Sequence, residues 1–316
     1  MPSKKKEISL FKVILFLFIG LACVYAAMTW SPHFSSIAPQ NTSSENVREI
    51  INAAFQLIDQ GNPEEAEKKI APLVTRALQT RSSFDLDTFL LLAEVEKVRG
   101  NTDKTAEILQ TALDRFPNDP GKPKATVELA TVLTSQNKLE EALSLLRGVV
   151  ESSPAEYRAP ALLEMGKIAE RKGNQIEARD YYKRACSEAA WGSETWEKAA
   201  DELGRINVAL IFSSEPTPES MVYTVEKGDS LVSIGVKLNT TLGLLTRANG
   251  LSENSVLSVG QRLKYTPKDF HIFIERSTCT LYLMDKDGLF KRNKVGLGMP
   301  GHETALGKYK IGNKQK

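Results

Sequence analysis

Apolar positions recur at helical spacing through the middle of the chain, and tight-turn dipeptides divide this region into segments of similar length. The dipeptides lie about 36 to 39 residues apart and are Gly61-Asn62, Gly100-Asn101, Gln136-Asn137 and Gly173-Asn174. An alanine follows each turn, at Ala66, Ala106, Ala142 and Ala178. Small side chains let two helices approach closely, and each turn reverses the chain. The pattern therefore predicts stacked helical pairs over residues 45–212.

The clearest copy of this repeat combines Gly173-Asn174 with Ala178, Tyr182 and Ala185, and it resembles the tetratricopeptide repeat. The resemblance implies a helical solenoid that binds peptides or partner proteins on its concave face. The alternative is a spacer without a ligand, and the sequence singles out no partner-binding residue. The segment from Asp201 to Phe212 is predicted to be a terminal helix that covers the last repeat.

The pattern changes after residue 220 to a short strand, two short helices and a second strand. Tyr223-Thr224-Val225 is rich in β-branched and aromatic residues, and Lys227-Gly228 ends this strand. Asp229 or Ser230 is the candidate N-cap of the first helix. The apolar helix positions are Leu231, Ile234 and Leu238, then Leu242, Leu245 and Ala248, and Asn249-Gly250 closes the second helix before the strand Arg262-Leu263-Lys264-Tyr265.

This segment, residues 221–267, closely resembles the lysin motif (LysM), a βααβ module that binds N-acetylglucosamine in peptidoglycan or chitin. The resemblance implies a glycan groove between two loops, residues 228–231 and 249–256. Exposed amides at a helix start and open backbone beside glycine can hydrogen-bond sugar groups. The alternative for Asp229 and Ser230 is capping alone, and contact is expected mostly through backbone. The candidate glycan-binding residues are Gly228, Asp229, Ser230, Leu231, Asn249, Leu251 and Val256.

Short strands without intervening helices are predicted over residues 268–316, which indicates the start of an all-β domain. Phe270 to Ile274 and Thr280 to Met284 are apolar-rich, and Asp285-Lys286-Asp287-Gly288 is a hairpin turn before Leu289-Phe290. Further strands are predicted over residues 294–298 and 304–311. The whole chain is therefore predicted to be mainly α, with a helical solenoid, a βααβ module and an incomplete all-β domain.

The last region resembles the catalytic domain of L,D-transpeptidases through Leu281-Tyr282-Leu283, the Val-Gly-Leu-Gly run and the segment from Thr304 to Ile311. Ala305 stands where that family usually has proline. The family cross-links wall peptides with a cysteine thiolate, a histidine and backbone amides. Its Ser-x-Gly-Cys segment is not in this sequence, so we expect the chain to be truncated before the catalytic His/Cys segment, and no catalytic residue is assigned.

Three functional hypotheses follow from these patterns. The first is an envelope L,D-transpeptidase whose Cys thiolate would lie beyond residue 316. The second is a non-catalytic peptidoglycan-binding scaffold, which uses LysM for glycan and the repeats for protein partners. The third, a glycan hydrolase accessory protein, is the weakest because no Asp/Glu pair has a supporting context. Cys279 is interpreted as a small residue packed in a β-sheet, Cys186 as a core residue, and His302 as a surface loop residue.

The N-terminus carries Lys4-Lys5-Lys6 ahead of an apolar run from Ile8 to Trp30, which Lys12 interrupts. From Val13 onward the run is close to the roughly 20 residues needed to span a bilayer. This predicts an uncleaved membrane anchor with a cytoplasmic tail, a linker up to residue 44, and the bulk of the chain on the periplasmic side of a bacterial inner membrane. A cleaved signal peptide ending at Val24-Tyr25-Ala26 is the rival interpretation. Lipidation at Cys23 is disfavoured by Gly20. A second linker is predicted over the proline-rich residues 213–220.

Composition adds mainly exclusions. The 316 residues include 41 Lys and Arg and 39 Asp and Glu. The resulting net charge of +2 does not indicate a nucleic-acid-binding protein. The three cysteines form no CxxC pair and no metal-ligand spacing, so neither a metal site nor a cofactor is predicted. The predicted partners are peptidoglycan through its N-acetylglucosamine, the membrane through the N-terminal anchor, and a protein on the helical repeats.

Overall fold

The computed structural model describes residues 44–79, 85–267, 269–299, 301–302 and 304–310. The predicted membrane anchor and its linker up to residue 43 lie outside these ranges. No helix in the described ranges combines the length and apolar character needed to cross a membrane. The chain divides into two compact units, residues 1–73 and 74–316.

The first unit contains helix α1 (Ser44–Asp59) and most of helix α2 (Pro63–Gln79), whose residues from 74 onward belong to the second unit. The two helices are joined by a turn in which Gly61 has φ of 77°. This left-handed conformation favours glycine, which has no Cβ to clash. The buried residues follow helical spacing and are Val47, Ile51, Ala54 and Ile58 in α1, and Ala66, Ile70 and Leu73 in α2.

The second unit begins with seven helices that alternate in direction through tight turns. They are α3 (Asp85–Val98), α4 (Thr102–Arg115), α5 (Lys122–Ser135), α6 (Leu139–Ser152), α7 (Ala155–Arg171), α8 (Gln175–Glu188) and α9 (Glu194–Ile211). The predicted turns are confirmed, with positive φ at Gly100, Asn137 and Gly173. Because asparagine tolerates this backbone region better than other residues with a Cβ, Asn137 takes it rather than Gln136.

The predicted role of small residues at the helix contacts is confirmed. Ala142 and Ala178 are fully buried in the solenoid core. The closest approach lies between α7 and α8, where a Cβ on Gly166 would lie 2.3 Å from a ring carbon of Tyr182. The buried tyrosine hydroxyl donates to the Glu170 carboxylate at 2.5 Å, which satisfies its hydrogen-bonding need.

The terminal helix α9 begins at Glu194, earlier than the predicted start at Asp201. Ser193 is its N-cap and accepts a hydrogen bond from the backbone N–H of Trp196 at 3.2 Å. The sequence pattern missed this first part because Trp196, Ala199 and Ala200 are buried against neighbours that only the fold brings together.

The segment after residue 220 has the predicted order of strand, helix, helix and strand. Strand β1 (Met221–Thr224) pairs antiparallel with β2 (Arg262–Tyr265), and helices α10 (Leu231–Lys237) and α11 (Leu242–Ala248) lie between them in sequence. Its core consists of Val225, Leu231, Ile234, Leu245 and Leu263.

A three-stranded antiparallel sheet follows, in the order β3 (His271–Glu275), β4 (Thr280–Asp285) and β5 (Gly288–Lys294). The predicted hairpin at residues 285–288 is confirmed. The further strands predicted over 294–298 and 304–311 are wrong for the residues that the structure describes. Val295 donates a last backbone hydrogen bond to Cys279 at 2.9 Å, and none of the described strands pairs with the residues that follow.

This sheet packs on helix α9. The Asn207 side chain donates to the Phe290 carbonyl at 2.9 Å, and both groups are buried. Arg292 forms a two-pronged ion pair with Asp201, with both nitrogen-to-oxygen distances at 2.7 Å. A Cβ on Gly204 would lie 2.9 Å from Cγ of Lys291, so glycine permits this close approach.

The proline-rich segment 213–220 differs from the extended spacer predicted from its composition, because it is folded against both of its neighbours. Nζ of Lys264 on β2 donates to the carbonyls of Ser213 at 2.9 Å and Glu215 at 2.5 Å. Glu219 binds Arg179 on α8 through both carboxylate oxygens, at 2.8 and 3.0 Å. Residues 213–220 are therefore a structured junction between the repeats and the βααβ segment.

Candidate glycan-binding site

The first candidate loop is held in shape by Asp229 rather than by a flexible glycine alone. Oδ2 of Asp229 accepts hydrogen bonds from the Glu226 backbone N–H at 2.8 Å and from the Tyr223 hydroxyl at 2.7 Å. These two donors hold the pKa of the Asp229 carboxyl below its ordinary value. Gly228 stands at the turn with φ of 91°, and its missing Cβ faces open space.

Ser230, not Asp229, is the N-cap of α10. Its hydroxyl accepts from the Ser233 backbone N–H at 3.1 Å, and the Ser233 hydroxyl accepts in turn from the Ser230 N–H at 2.8 Å. This reciprocal capping box decides between the two candidates that the sequence left open. The Asp229 side chain is the structural brace of the loop, and Ser230 is the exposed start of the helix.

The second candidate loop starts at Asn249, whose side chain clamps α11 to β2. Its amide nitrogen donates to the carbonyls of Leu245 and Lys264, both at 2.7 Å. Its amide oxygen accepts from the Lys264 backbone N–H at 2.8 Å. These three hydrogen bonds use both donors of the amide and leave one lone pair on its oxygen for a sugar hydroxyl.

Backbone hydrogen bonds outside the two loops extend the pairing of β1 with β2. Gly260 donates to the Val225 carbonyl at 2.8 Å, and the Val225 N–H donates to the Gln261 carbonyl at 2.9 Å. Val256 lies within the second loop and is 93% exposed. This loop therefore presents an exposed aliphatic side chain to solvent.

The seven predicted residues thus fall into groups with different surroundings. Gly228, Ser230 and Val256 are exposed, and Asp229 and Asn249 are half-buried and engaged within the module. Leu231 is buried in the core and Leu251 packs against it, so neither leucine presents its full side chain to a sugar. Their glycan-binding roles stay predictions.

Sequence reasoning missed a set of exposed valines on the same module. Val232 and Val236 on α10 are 62% and 80% exposed, and Val259 is 70% exposed. Helical periodicity could have identified two of these exposed valines, because positions 232 and 236 fall on the face of α10 opposite to Leu231, Ile234 and Leu238. Within the described ranges, no group of three His, Cys, Asp or Glu side chains is placed to hold a metal ion.

Comparison with known protein families covers most of the chain. Residues 11–200 match the tetratricopeptide repeat-like domain. The chain belongs to the tetratricopeptide repeat-like domain family. Residues 223–266 match the LysM domain, which confirms the interpretation of the βααβ segment. The L,D-transpeptidase interpretation of residues 268–316 is not carried by these two matches and stays a prediction.

Individual relatives are similar to parts of this tetratricopeptide repeat-like protein. The human protein O-mannosyl-transferase TMTC1 is 32% identical over 143 residues, which are 44% of this chain and 15% of that protein. The chain thus spans about a sixth of the length of this curated relative.

Two solved structures also resemble the helical region. A Podosopora anserina putative kinesin light chain with TPR-like repeats has 19% identity over 52% of this chain and 86% of that chain, with a TM-score of 0.43. BtubC (BKLC) from P. vanneervenii has 18% identity over 52% of this chain and 73% of that chain, with a TM-score of 0.45.

Proposed function

We propose that this chain is a peptidoglycan-binding protein of the cell envelope, in which LysM binds N-acetylglucosamine-containing glycan and the helical repeats bind a protein partner. The observation that carries the proposal is the LysM fold with two braced loops. Asp229 and Asn249 fix these loops through hydrogen bonds within the module, so little conformational entropy is lost on binding. The exposed glycine Gly228 leaves backbone open to acetamido and hydroxyl groups.

The helical repeats support the second half of the proposal. Arrays of this family present extended concave surfaces that suit a peptide or protein partner. A spacer without a ligand is the alternative for this region. The structured junction at residues 213–220 ties LysM to the last helical pair through Lys264 and Arg179. A protein partner bound to the repeats would therefore be held at a defined position relative to the glycan that LysM binds.

The test is binding of the full chain to purified peptidoglycan, with Gly228→Asn as the informative variant. Asparagine tolerates positive φ better than valine or alanine, so it adds a side chain at the loop with limited backbone strain. Gly260→Asn is the matched control, because Gly260 has φ of 86° and open space around its missing Cβ but lies outside both candidate loops. We expect Gly228→Asn to weaken binding and Gly260→Asn to bind normally. Equal binding by both variants would remove the first loop from the site.

A second pair tests the other loop. Val256→Asp places a charge at a 93% exposed position of the second loop, and Val236→Asp does the same at an 80% exposed position on α10. Both substitutions leave the core untouched, so circular dichroism should show the same fold. We expect only Val256→Asp to lose affinity for peptidoglycan. Loss of affinity in Val236→Asp instead would move the site to the outer face of α10.

A second candidate function is L,D-transpeptidation, and the sheet β3–β5 favours it because strands lie where the resemblance placed the first ones. Leu281-Tyr282-Leu283 is in β4 and is followed by the expected hairpin. The described cysteines do not supply the nucleophile. Burial raises the pKa of the Cys186 thiol to about 12, which opposes thiolate formation.

Cys279 differs from its predicted place in the sheet interior. It is exposed in the turn before β4 with φ of 50°, and its Sγ donates to the Arg276 carbonyl at 3.7 Å. In this candidate function the nucleophile is the cysteine of a Ser-x-Gly-Cys segment encoded past the codon for Lys316, and Cys279 does not stand in such a segment. Sequencing the gene beyond that codon tests it: an in-frame Ser-x-Gly-Cys segment supports the proposal, and a stop codon refutes it. Cys279→Ala should leave any activity of the longer product intact.

The proposed location is the bacterial inner membrane, with a single anchor and the bulk of the chain in the periplasm. This proposal rests on Lys4-Lys5-Lys6 ahead of the apolar run, which lie outside the described residues. A reporter fused after Gly61 should be active only outside the cytoplasm. Activity confined to the cytoplasm would refute the orientation.

A further inference from the structure

An aromatic cluster lies where the turn between α8 and α9 meets the sheet β3–β5. The ring centroid of Trp191 is 4.1 Å from that of Trp196 and 5.3 Å from that of Tyr282. Phe273 stacks on Tyr282 from the neighbouring strand, at 5.9 Å and 28° between planes. The four rings form one continuous contact, and we refer to Trp191, Trp196, Phe273 and Tyr282 as the aromatic platform.

The platform has two buried members and two exposed ones. Trp196 and Tyr282 are 3% and 4% exposed, whereas Trp191 and Phe273 are 61% and 57% exposed. Isolated exposed apolar side chains are ordinary on protein surfaces. Here the exposed rings are held by packing on buried rings, so they are presented to solvent as flat and preordered surfaces. Aromatic rings that are fixed in this way can stack on a ligand with little loss of conformational entropy.

The size of the exposed surface limits what can occupy it. From the usual area of buried aromatic side chains, the exposed parts of the two rings offer roughly 200–300 Å². A stable protein interface needs roughly 800 Å² from each partner. The exposed area is therefore too small for a protein dimer and suits a ligand of one or two rings.

Polar groups border the Phe273 end of the platform. The Glu275 carboxylate accepts hydrogen bonds from the Thr278 hydroxyl at 2.8 Å and from the Tyr282 hydroxyl at 3.1 Å. A carboxylate can accept about four hydrogen bonds, so Glu275 has capacity left for donors from a ligand. A flat aromatic face beside an acceptor matches a pyranose, whose axial C–H bonds make one apolar face and whose hydroxyls project from its edge.

We propose that the aromatic platform is a second glycan-binding site, which stacks a pyranose ring of the same polymer that LysM binds. This inference rests on the proposed function of LysM, because it takes the ligand class from there. The platform and LysM lie in one compact unit, and the polymer offers many identical sugars. Two weak sites on one polymer raise the overall affinity above that of either site.

The test is affinity of the full chain for purified peptidoglycan, with Trp191→Leu as the informative variant. Leucine keeps apolar bulk over Trp196 but removes the flat ring. We expect affinity to fall about 3- to 10-fold, as for the loss of one aromatic stacking contact. Trp191→Phe should restore most of the affinity because it restores a ring. The matched control is Ile272→Ala with Ile274→Ala, which lie 46% and 43% exposed on the opposite face of β3.

Fluorescence gives a readout that a general loss of stability would not move. In a Trp30→Phe background the emission comes from Trp191 and the buried Trp196. Titration with an N-acetylglucosamine oligomer should shift or quench this emission, and Trp191→Phe should abolish the change. Normal affinity of Trp191→Leu together with an unchanged emission spectrum would overturn the inference.

Comparison with Gly228→Asn separates this inference from the function proposed for LysM. If Gly228→Asn loses binding and Trp191→Leu does not, LysM is the glycan-binding site and the platform inference fails. If Trp191→Leu loses binding and Gly228→Asn does not, the platform stands and the LysM loop proposal fails. Loss in both variants supports both sites.

Discussion

Lys264 on the second LysM strand donates a hydrogen bond from its side-chain ammonium to the carbonyl of Leu210, 54 residues earlier, at 2.9 Å. Leu210 lies in the last turn of α9, and its carbonyl also accepts hydrogen bonds from the Ser213 backbone N–H at 3.1 Å and hydroxyl at 3.0 Å. The same ammonium also binds the carbonyls of Ser213 and Glu215. A cation at a helix C-terminus complements the negative end of the helix dipole. One side chain thus holds LysM to the end of the solenoid.

The first prediction concerns this lysine. Lys264→Met should lower the free energy of unfolding by about 1–3 kcal/mol, because the carbonyls of Ser213 and Glu215 lose the donor that they share. Urea denaturation of the full chain measures the change. Lys237→Met is the control, since Lys237 makes its contacts with Tyr223 and Glu226 at the surface, so its loss should cost less than the loss of Lys264. Equal losses for the two variants would contradict the capping role.

The second prediction concerns the contact between α9 and the sheet β3–β5. The Arg292 side chain is 9% exposed and binds Asp201, whose side chain is 62% exposed. A double-mutant cycle with Arg292→Met and Asp201→Asn should give a coupling energy of about 0.5–1 kcal/mol. The exposed pair Glu194 and Lys198, one helical turn apart, should give a smaller coupling energy because solvent screens it. A coupling energy of zero for the first pair would show that the Arg292–Asp201 ion pair does not hold the sheet on α9.

The third prediction concerns pH. Burial raises the pKa of Glu219, but its own backbone N–H and Arg179 outweigh burial and hold the pKa below the ordinary value of 4.5. Lys264 adds a second positive charge nearby, and the Asp285 carboxylate is a neighbouring negative one. As pH falls, the unfolded chain therefore takes up this proton before the folded chain does.

The stabilisation by Glu219 is consequently complete above pH 4.5 and is lost as pH falls through the lower pKa of the folded chain. We expect the difference in unfolding free energy between the wild type and Glu219→Gln to shrink as pH falls from 6 to about 3. Denaturation at a series of pH values measures it. A difference that stays constant or grows on acidification would refute the role of the Arg179 pair.

The fourth prediction concerns the LysM core. Leu245 is fully buried, and Leu245→Ala should destabilise the module by about 2–5 kcal/mol through the cavity it leaves. Val256→Ala should change stability by less than about 0.5 kcal/mol, because that side chain is almost fully exposed. Hydrogen exchange resolved by segment should show faster exchange in residues 221–267 for the leucine variant. Unchanged protection there would mean that Leu245 is not a core residue.

Features that depend on neighbours in sequence were predictable. Glycine at 61, 100 and 173 adopts the left-handed turn conformation that ends one helix and starts the next. The βααβ order of LysM followed from the β-branched and aromatic residues of its first strand and the helical period of the apolar residues after it. The candidate loops could be placed for the same reason, since Gly228 and Asn249 mark the ends of regular elements.

Roles that depend on distant partners were not predictable. The choice between Asp229 and Ser230 as the cap was decided by the capping box of Ser230 with Ser233, while the Tyr223 hydroxyl and the Glu226 amide engage Asp229. The proline-rich composition of residues 213–220 indicated an extended linker, because the composition of a segment does not reveal its contacts with residues as distant as Arg179 or Lys264.

The sequence by itself determined the repeat architecture, the LysM module and the turns between elements, since these depend on side-chain periodicity and on backbone preferences of single residues. The tertiary structure alone decided that α9 carries both LysM and the sheet β3–β5, and that Trp191 and Phe273 share one aromatic platform. The physical reason is the separation along the chain. Contacts such as Lys264 with Leu210, or Asn207 with Phe290 83 residues later, arise from packing that no local pattern encodes.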